Sequence, residues 1–163
     1  MKRIISLVIG LLLLAGCGRA EATPKLNGIS FNADITYYNE SYKGECSVSE
    51  EGVMTLKITE PEVLSGYTLT AERDKMTAEY LGLKFTPTQN NMAFSGVFGD
   101  IYNCFCEIID TKSNAKKTGD TYELSGGKES KSYTLTVSPT GLPQSLMLPD
   151  ERFVLYFYNV IVK

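Results

Sequence analysis

The sequence predicts a mainly β domain of the α+β class: about nine strands in one curved antiparallel sheet, with a single amphipathic helix across the concave side. Three observations carry that expectation. Apolar and polar residues alternate through most of residues 30–85 and 122–162, and turn residues break the alternation at intervals. One stretch, residues 90–109, switches to helical spacing. The last run, residues 153–162, is almost wholly apolar. Alternation bounded by turns reads as consecutive hairpins, one face on the core and the other in water. A long sheet of that kind must twist and curl, and a helix inserted midway covers its hollow side.

The first strand puts Phe31, Ala33, Ile35 and Tyr37 on one face. The second places Tyr42, Cys46 and Val48 on one side, with Lys43, Glu45 and Ser47 opposite. Met54, Leu56 and Ile58 mark the third; Tyr67, Leu69 and Ala71, against Thr68, Thr70 and Glu72, mark the fourth. Turns are expected at Asn39-Glu40, Glu51-Gly52 and Arg73-Asp74. Met76 to Phe85 reads as a fifth strand with Gly82 as a bulge or bend, and Pro87 closes this block.

In the next segment Phe94, Val97, Phe98, Ile101, Phe105 and Ile108 fall in a stripe about 100° wide at helical pitch. Asp100, Asn103, Glu107 and Asp110 lie opposite. Gly96 and Gly99 lower the helix's intrinsic stability by up to ~1 kcal/mol each, so packing of the aromatic stripe must hold it. After Lys116-Lys117-Thr118-Gly119, four more strands follow at Tyr122-Leu124, Tyr133-Leu135-Val137, Leu146-Leu148 and Phe153 to Val162, with turns at Gly126-Gly127 and Pro149-Asp150. The final run is apolar on both faces, a pattern of strands covered on both sides.

The start of the chain carries an address. Lys2 and Arg3 precede an apolar run from Ile4 to Ala15, too short for an ordinary membrane span and right for a secretory signal. It ends in Leu14-Ala15-Gly16-Cys17, which resembles the bacterial lipobox. The expectation is a signal peptide over residues 1–16, a lipid anchor on Cys17, a mobile tether over 17–28 containing Pro24, and a single domain over 29–163. Acyl chains contribute ~0.8 kcal/mol per buried CH₂, so several together hold a protein at a membrane. Gly18 rather than Asp follows the cysteine, which implies the outer membrane in a two-membrane host and the outer side of the cytoplasmic membrane in a one-membrane host.

Removing the signal takes away Lys2 and Arg3 and moves the net charge from −3 to −5. A mildly acidic chain without a basic run argues against nucleic acid as a partner. The sequence contains no histidine, which removes Ser-His and Cys-His nucleophile pairs and the commonest metal ligand. No phosphate loop or metal-ligand spacing appears, and no cofactor is implied. Asp34, Glu45, Glu60 and Glu62 are scattered carboxylates that read as solvated strand charges. The expectation is therefore a non-catalytic protein. Cys104 and Cys106 point about 200° apart on a helix and form no redox or metal motif. Cys46 with Cys104 is a candidate disulfide in an extracytoplasmic setting; buried thiols are the alternative.

Two further stretches carry a resemblance. Pro61-Glu62-Val63-Leu64-Ser65-Gly66-Tyr67-Thr68-Leu69 with Tyr80-Leu81-Gly82-Leu83-Lys84-Phe85, and Pro139-Thr140-Gly141-Leu142-Pro143-Gln144-Ser145-Leu146 before the final strand, resemble bacterial lipoproteins of the lipoprotein-carrier (LolA/LolB/LppX-like) fold. The order strands, helix, strands covers nearly all of residues 28–163. Many such proteins open with a helix, whereas here strand-like sequence begins by Ser30. The resemblance implies a half-open antiparallel barrel holding a lipid or acyl chain under a helical lid. The candidate cavity residues are Tyr37, Tyr42, Leu56, Leu69, Tyr133 and Leu135 from the strands, with Phe94, Phe98, Ile101 and Phe105 from the helix. Tyrosines on inward phases suit an amphiphile, since the ring is apolar and its tip polar. The alternative is a cell-envelope protein-interaction module with a filled core and no ligand.

Overall fold

A computed structural model describes residues 20–73, 75–87, 93–127 and 132–163, with helix side chains from Gly96 onward. The signal segment, Cys17 and the side chain of Phe94 lie outside the described residues. The strands are β1 (Glu21–Ala22), β2 (Ile29–Tyr37), β3 (Glu40–Val48), β4 (Met54–Glu60), β5 (Thr68–Glu72), β6 (Lys75–Tyr80) and β7 (Leu83–Phe85). The helix α1 (Ala93–Thr111) follows, then β8 (Ala115–Thr118), β9 (Thr121–Gly126), β10 (Tyr133–Val137), β11 (Pro143–Leu148) and β12 (Phe153–Val162). All join one antiparallel sheet in the order β1-β8-β9-β10-β11-β12-β2-β3-β4-β5-β6-β7. Each hairpin neighbours the next, and two long-range pairings complete the sheet: β12 with β2, which brings the two halves together, and β1 with β8 at one edge.

The sheet has twelve strands rather than nine, and it is not closed into a barrel: β1 and β7 are its two edges. Two of the three additional strands, β1 and β8, are two and four residues long, too short for an alternating pattern to declare itself; the third, β7, arises because a turn splits the expected fifth strand. Gly82 is not a bulge but half of a two-residue hairpin turn, with Leu81 and Gly82 both in the left-handed region at φ 51° and 79°. Such turns match the twist of the flanking strands. The β2–β3 turn uses the same device one position earlier than expected, at Tyr38 and Asn39 (φ 48° and 69°).

Residues 20–28 do not behave as a tether. Glu21 and Ala22 pair with Lys116 and Ala115 of β8. Lys25 N–H donates to Gly141 O at 2.8 Å, and Ala22 and Leu26 are buried. Outside the two residues of β1 the segment is irregular, so its two buried side chains, Ala22 and Leu26, join the core without a period.

One face of the sheet carries the core. Ile29, Phe31, Ala33 and Ile35 alternate inward along β2, as do Met54, Leu56 and Ile58 along β4 and Phe153, Leu155 and Phe157 along β12. The aromatic pairs Phe31–Phe157 and Phe105–Phe157, at 4.6 and 6.3 Å between centroids, tie β2, β12 and α1 together. Gly44 in β3 is required by space. A Cβ there would lie 2.7 Å from Lys57 O and 2.9 Å from Leu56 Cδ1, where the β3–β4 register shifts between Lys43 and Gly44.

The outer face of β12 is uncovered among the described residues, contrary to its two-sided apolar pattern. Tyr156 and Tyr158 are each 47% exposed and Ile161 is 61% exposed.

Candidate functional site

The helix sits where its stripe predicts. Val97, Phe98, Ile101, Phe105 and Ile108 are buried at 0–2% exposure, while Asn103 and Asp110 face solvent. Tyr102 and Cys104 are also buried. Tyr102 lies one helical turn from Phe98, a spacing that marks it as part of the same face. Its hydroxyl accepts a hydrogen bond from Arg73 N–H at 2.7 Å, which ties α1 to the β5–β6 turn. On the far flank the Tyr133 hydroxyl donates to Glu107 Oε1 at 3.4 Å. Burial pushes the Tyr102 and Tyr133 phenols above their ordinary range, so both remain neutral donors at physiological pH.

The helix's ends carry no compensating charge of their own. Its first turn has no acidic residue and its last turn no basic one, so the macrodipole is uncompensated. Gly96 faces open space; Gly99 lets α1 approach β6 so closely that a Cβ would lie 3.0 Å from Met76 Cε. A cleft of about 580 Å³ opens at this seam, bordered by Arg73, Lys75, Met76, Gly96, Gly99 and Asn103 among others. Sequence reading missed this mouth, because Arg73 and Lys75 are ordinary turn residues until α1 is laid across them.

The candidate cavity residues divide into two groups. Leu56, Leu69, Phe98, Ile101, Phe105, Leu135 and Tyr133 converge on the inner face and are buried to 3% exposure or less. Tyr37 and Tyr42 are half-buried at its margin. Among the described residues, Phe98, Ile101 and Phe105 of the helix belong to this inner-face cluster.

Cys46, Cys104 and Cys106 are thiols, and the candidate Cys46–Cys104 bridge is not formed. Cys104 is on α1 and Cys46 on β3, and both are buried. Burial raises the Cys46 thiol well above its ordinary range, which keeps it protonated and unreactive.

Of the four scattered carboxylates, Glu60 pairs with Lys43 at 3.1 Å and Glu62 is exposed in a 3₁₀ turn. Asp34 and Glu45 lie on the outer face, bordering one cleft. Among the described residues no cluster of three or more metal-ligating side chains occurs, and no helix is long and apolar enough to cross a membrane.

No protein-family model matches the chain, and no curated protein is significantly similar to it. Among solved structures it is similar to a LolA superfamily protein from Nitrosomonas europaea, at 11% identity over 85% of this chain and 87% of that one, with a TM-score of 0.42.

Proposed function

We propose that the chain is an extracytoplasmic, lipid-anchored protein that binds a lipid or other amphipathic ligand non-catalytically on the inner face of its sheet, with α1 as a displaceable cover. The observation that carries this reading is the cover itself. A continuous apolar face is sealed by one helix that lacks compensating end charges, contains two glycines and is held chiefly by side-chain burial. An acyl chain offers the sheet the same kind of contact, so displacement exchanges one apolar cover for another. The seam cleft, bordered by both polar and apolar residues, gives the exchange a place to begin.

The test has two parts. Protein purified from its host envelope is extracted with organic solvent and the extract analysed by mass spectrometry, and the stripped protein is titrated with a fluorescent fatty acid. Recovery of a stoichiometric amphiphile and saturable fatty-acid binding are expected. Failure of both would remove the carrier reading.

The filled inner face supports a second reading, an envelope interaction module for a protein partner. Phe98, Ile101 and Phe105 at 1% exposure or less are packed as a core. On that reading neither the host extract nor the titration yields a ligand, and a partner is captured by cross-linking on intact cells.

A further inference from the structure

We propose that the outer face of the sheet, around a bulge in β12, is a binding site for a neutral oligosaccharide. The site is on the opposite face from the helix and stands independently of any inner-face ligand.

The register builds it. Tyr156 stands opposite Asp34, and Tyr158 opposite Asn32. An extra residue then enters β12, so that Ile161 rather than Val160 meets Ser30. Asn159 takes up the insertion in the left-handed region at φ 51°. Bulges of this kind re-aim side chains and concentrate near functional sites. Here the bulge turns Ile161 outward, leaving it with the two tyrosines on an exposed face in the middle of the sheet.

Two clefts meet at the bulge. One, of about 410 Å³, is bordered by Asp34, Lys43 and Tyr158. The other, of about 560 Å³, is bordered by Ser47, Lys57 and Ile161. Asn32, Glu45 and Asn159 border both. Tyr156 and Tyr158 are two residues apart on one strand, about 6.8 Å, on the scale of a sugar ring.

The chemistry selects the occupant. Two half-exposed tyrosine rings offer flat apolar surface at low entropic cost, suited to the C–H face of a pyranose. Asp34 and Glu45 accept hydrogen bonds, and the amides of Asn32 and Asn159 accept and donate them, as a run of hydroxyl groups requires. The local charge is slightly negative: Asp34, Glu45 and Glu60 stand against Lys43 and Lys57 around the clefts, and Lys43 is already engaged by Glu60 at 3.1 Å. There is no positive field to recruit a nucleic acid. An apolar protein surface seated here would strip water from Asp34, Glu45 and Asn32 without replacing their hydrogen bonds; a saccharide replaces them.

The full chain, held in detergent, is titrated calorimetrically with tetrasaccharides of β-1,4-linked N-acetylglucosamine, β-1,4-linked glucose and α-1,4-linked glucose. At least one is expected to bind. Tyr156→Ala and Tyr158→Ala should each weaken that binding tenfold or more. Tyr158→Phe, which keeps the ring, should weaken it less than threefold, and all variants should melt within about 2 °C of the parent, because these side chains lie outside the core. The proposal is overturned if none of the three binds, or if binding survives both alanine substitutions together. It is equally overturned if the same substitutions abolish a dimer or a protein complex while no saccharide binds.

Discussion

Replacing Phe98 by Ala tests both the packing of α1 and its role as a cover. Phe98 is 0% exposed in the middle of the helix's buried stripe. Removing a ring from such a site costs about 3–5 kcal/mol, the lost transfer energy plus the cavity left behind. Domains of this size have about 5–15 kcal/mol in total, so the variant stays folded but is visibly weaker. With a urea slope near 2 kcal/mol per molar, the unfolding midpoint should fall by about 2 M. The chain has ten tyrosines and no tryptophan, so tyrosine emission and circular dichroism are the probes. A midpoint change below about 0.5 M would refute the burial argument. The same variant has a second readout. If a ligand must displace α1, its apparent affinity is reduced by the fraction of molecules that are open. Weakening the cover raises that fraction, so Phe98→Ala should bind a fluorescent fatty acid at least tenfold more tightly than the parent while being less stable. Unchanged or weaker binding would sink the displaceable cover and leave the sealed-core module.

Three other outcomes follow from particular residues. Gly44→Ala places a methyl 2.7 Å from Lys57 O; the backbone must shift at a cost of about 1–3 kcal/mol, lowering the thermal midpoint by about 2–4 °C per kcal/mol, and an unchanged midpoint would contradict the fit. Burial raises Tyr37, Tyr67, Tyr102 and Tyr133 above the ordinary phenol value of 10.0, and Cys46 above 9.0. These groups keep their protons in the folded chain when the unfolded chain loses them, so their contribution is intact at neutral pH and is lost progressively as pH rises past about 9 for the thiol and 10 for the phenols. Urea midpoints measured from about pH 8 to 11 should fall across that window, and a rise would reverse the assignment. Cys17→Ser should abolish acylation and leave unprocessed precursor on an immunoblot of host membranes; normal processing would remove the anchor from the proposed function.

Period and burial explain which parts of the fold were legible. β2, β4, β10 and α1 were readable because each is long enough to repeat its own spacing and buries one face, so Phe31-Ala33-Ile35 and Val97-Phe98-Ile101-Phe105 announce their surroundings. β1 and β8 were not, because two to four residues carry no period and take their conformation from a neighbour already in place; β7 read as the end of the strand before it, because the turn at Leu81-Gly82 passes for a bend in a continuous run. β12 was readable as a strand, apolar on both faces, but its environment was not. An apolar outer face says that water is unwelcome, not what replaces it. Leu56, Leu69, Phe98, Ile101, Phe105, Tyr133 and Leu135 are buried together, with Tyr37 and Tyr42 at the margin, yet alternation cannot distinguish residues that line a hollow from residues that fill a core. The seam mouth was invisible for a related reason: Arg73 and Gly99 meet only through packing between elements.

The short distance between Cys17 and the first strand bears on how the proposed cover would work. Direction alternates strictly through the sheet, so β1 begins at the same end as β2, β4 and β6. That end also holds the β5–β6 turn at Arg73 and the seam cleft beside it. Glu21 is already paired to Lys116, leaving three residues between it and Cys17. Four residue steps span at most about 14 Å. If Cys17 is acylated as proposed, the strand ends that share the seam's side of the sheet would face the bilayer, and an amphiphile leaving the membrane would meet Arg73 and Lys75 at the cleft's border. A flexible insertion of about twenty residues after Gly18 would free that orientation while leaving every domain contact intact. It should slow transfer of a fluorescent fatty acid from vesicles carrying the anchored protein, and leave binding of the same probe in detergent unchanged. Equal transfer rates with and without the insertion would show that the anchor sets location only, and that the seam does not depend on facing the membrane.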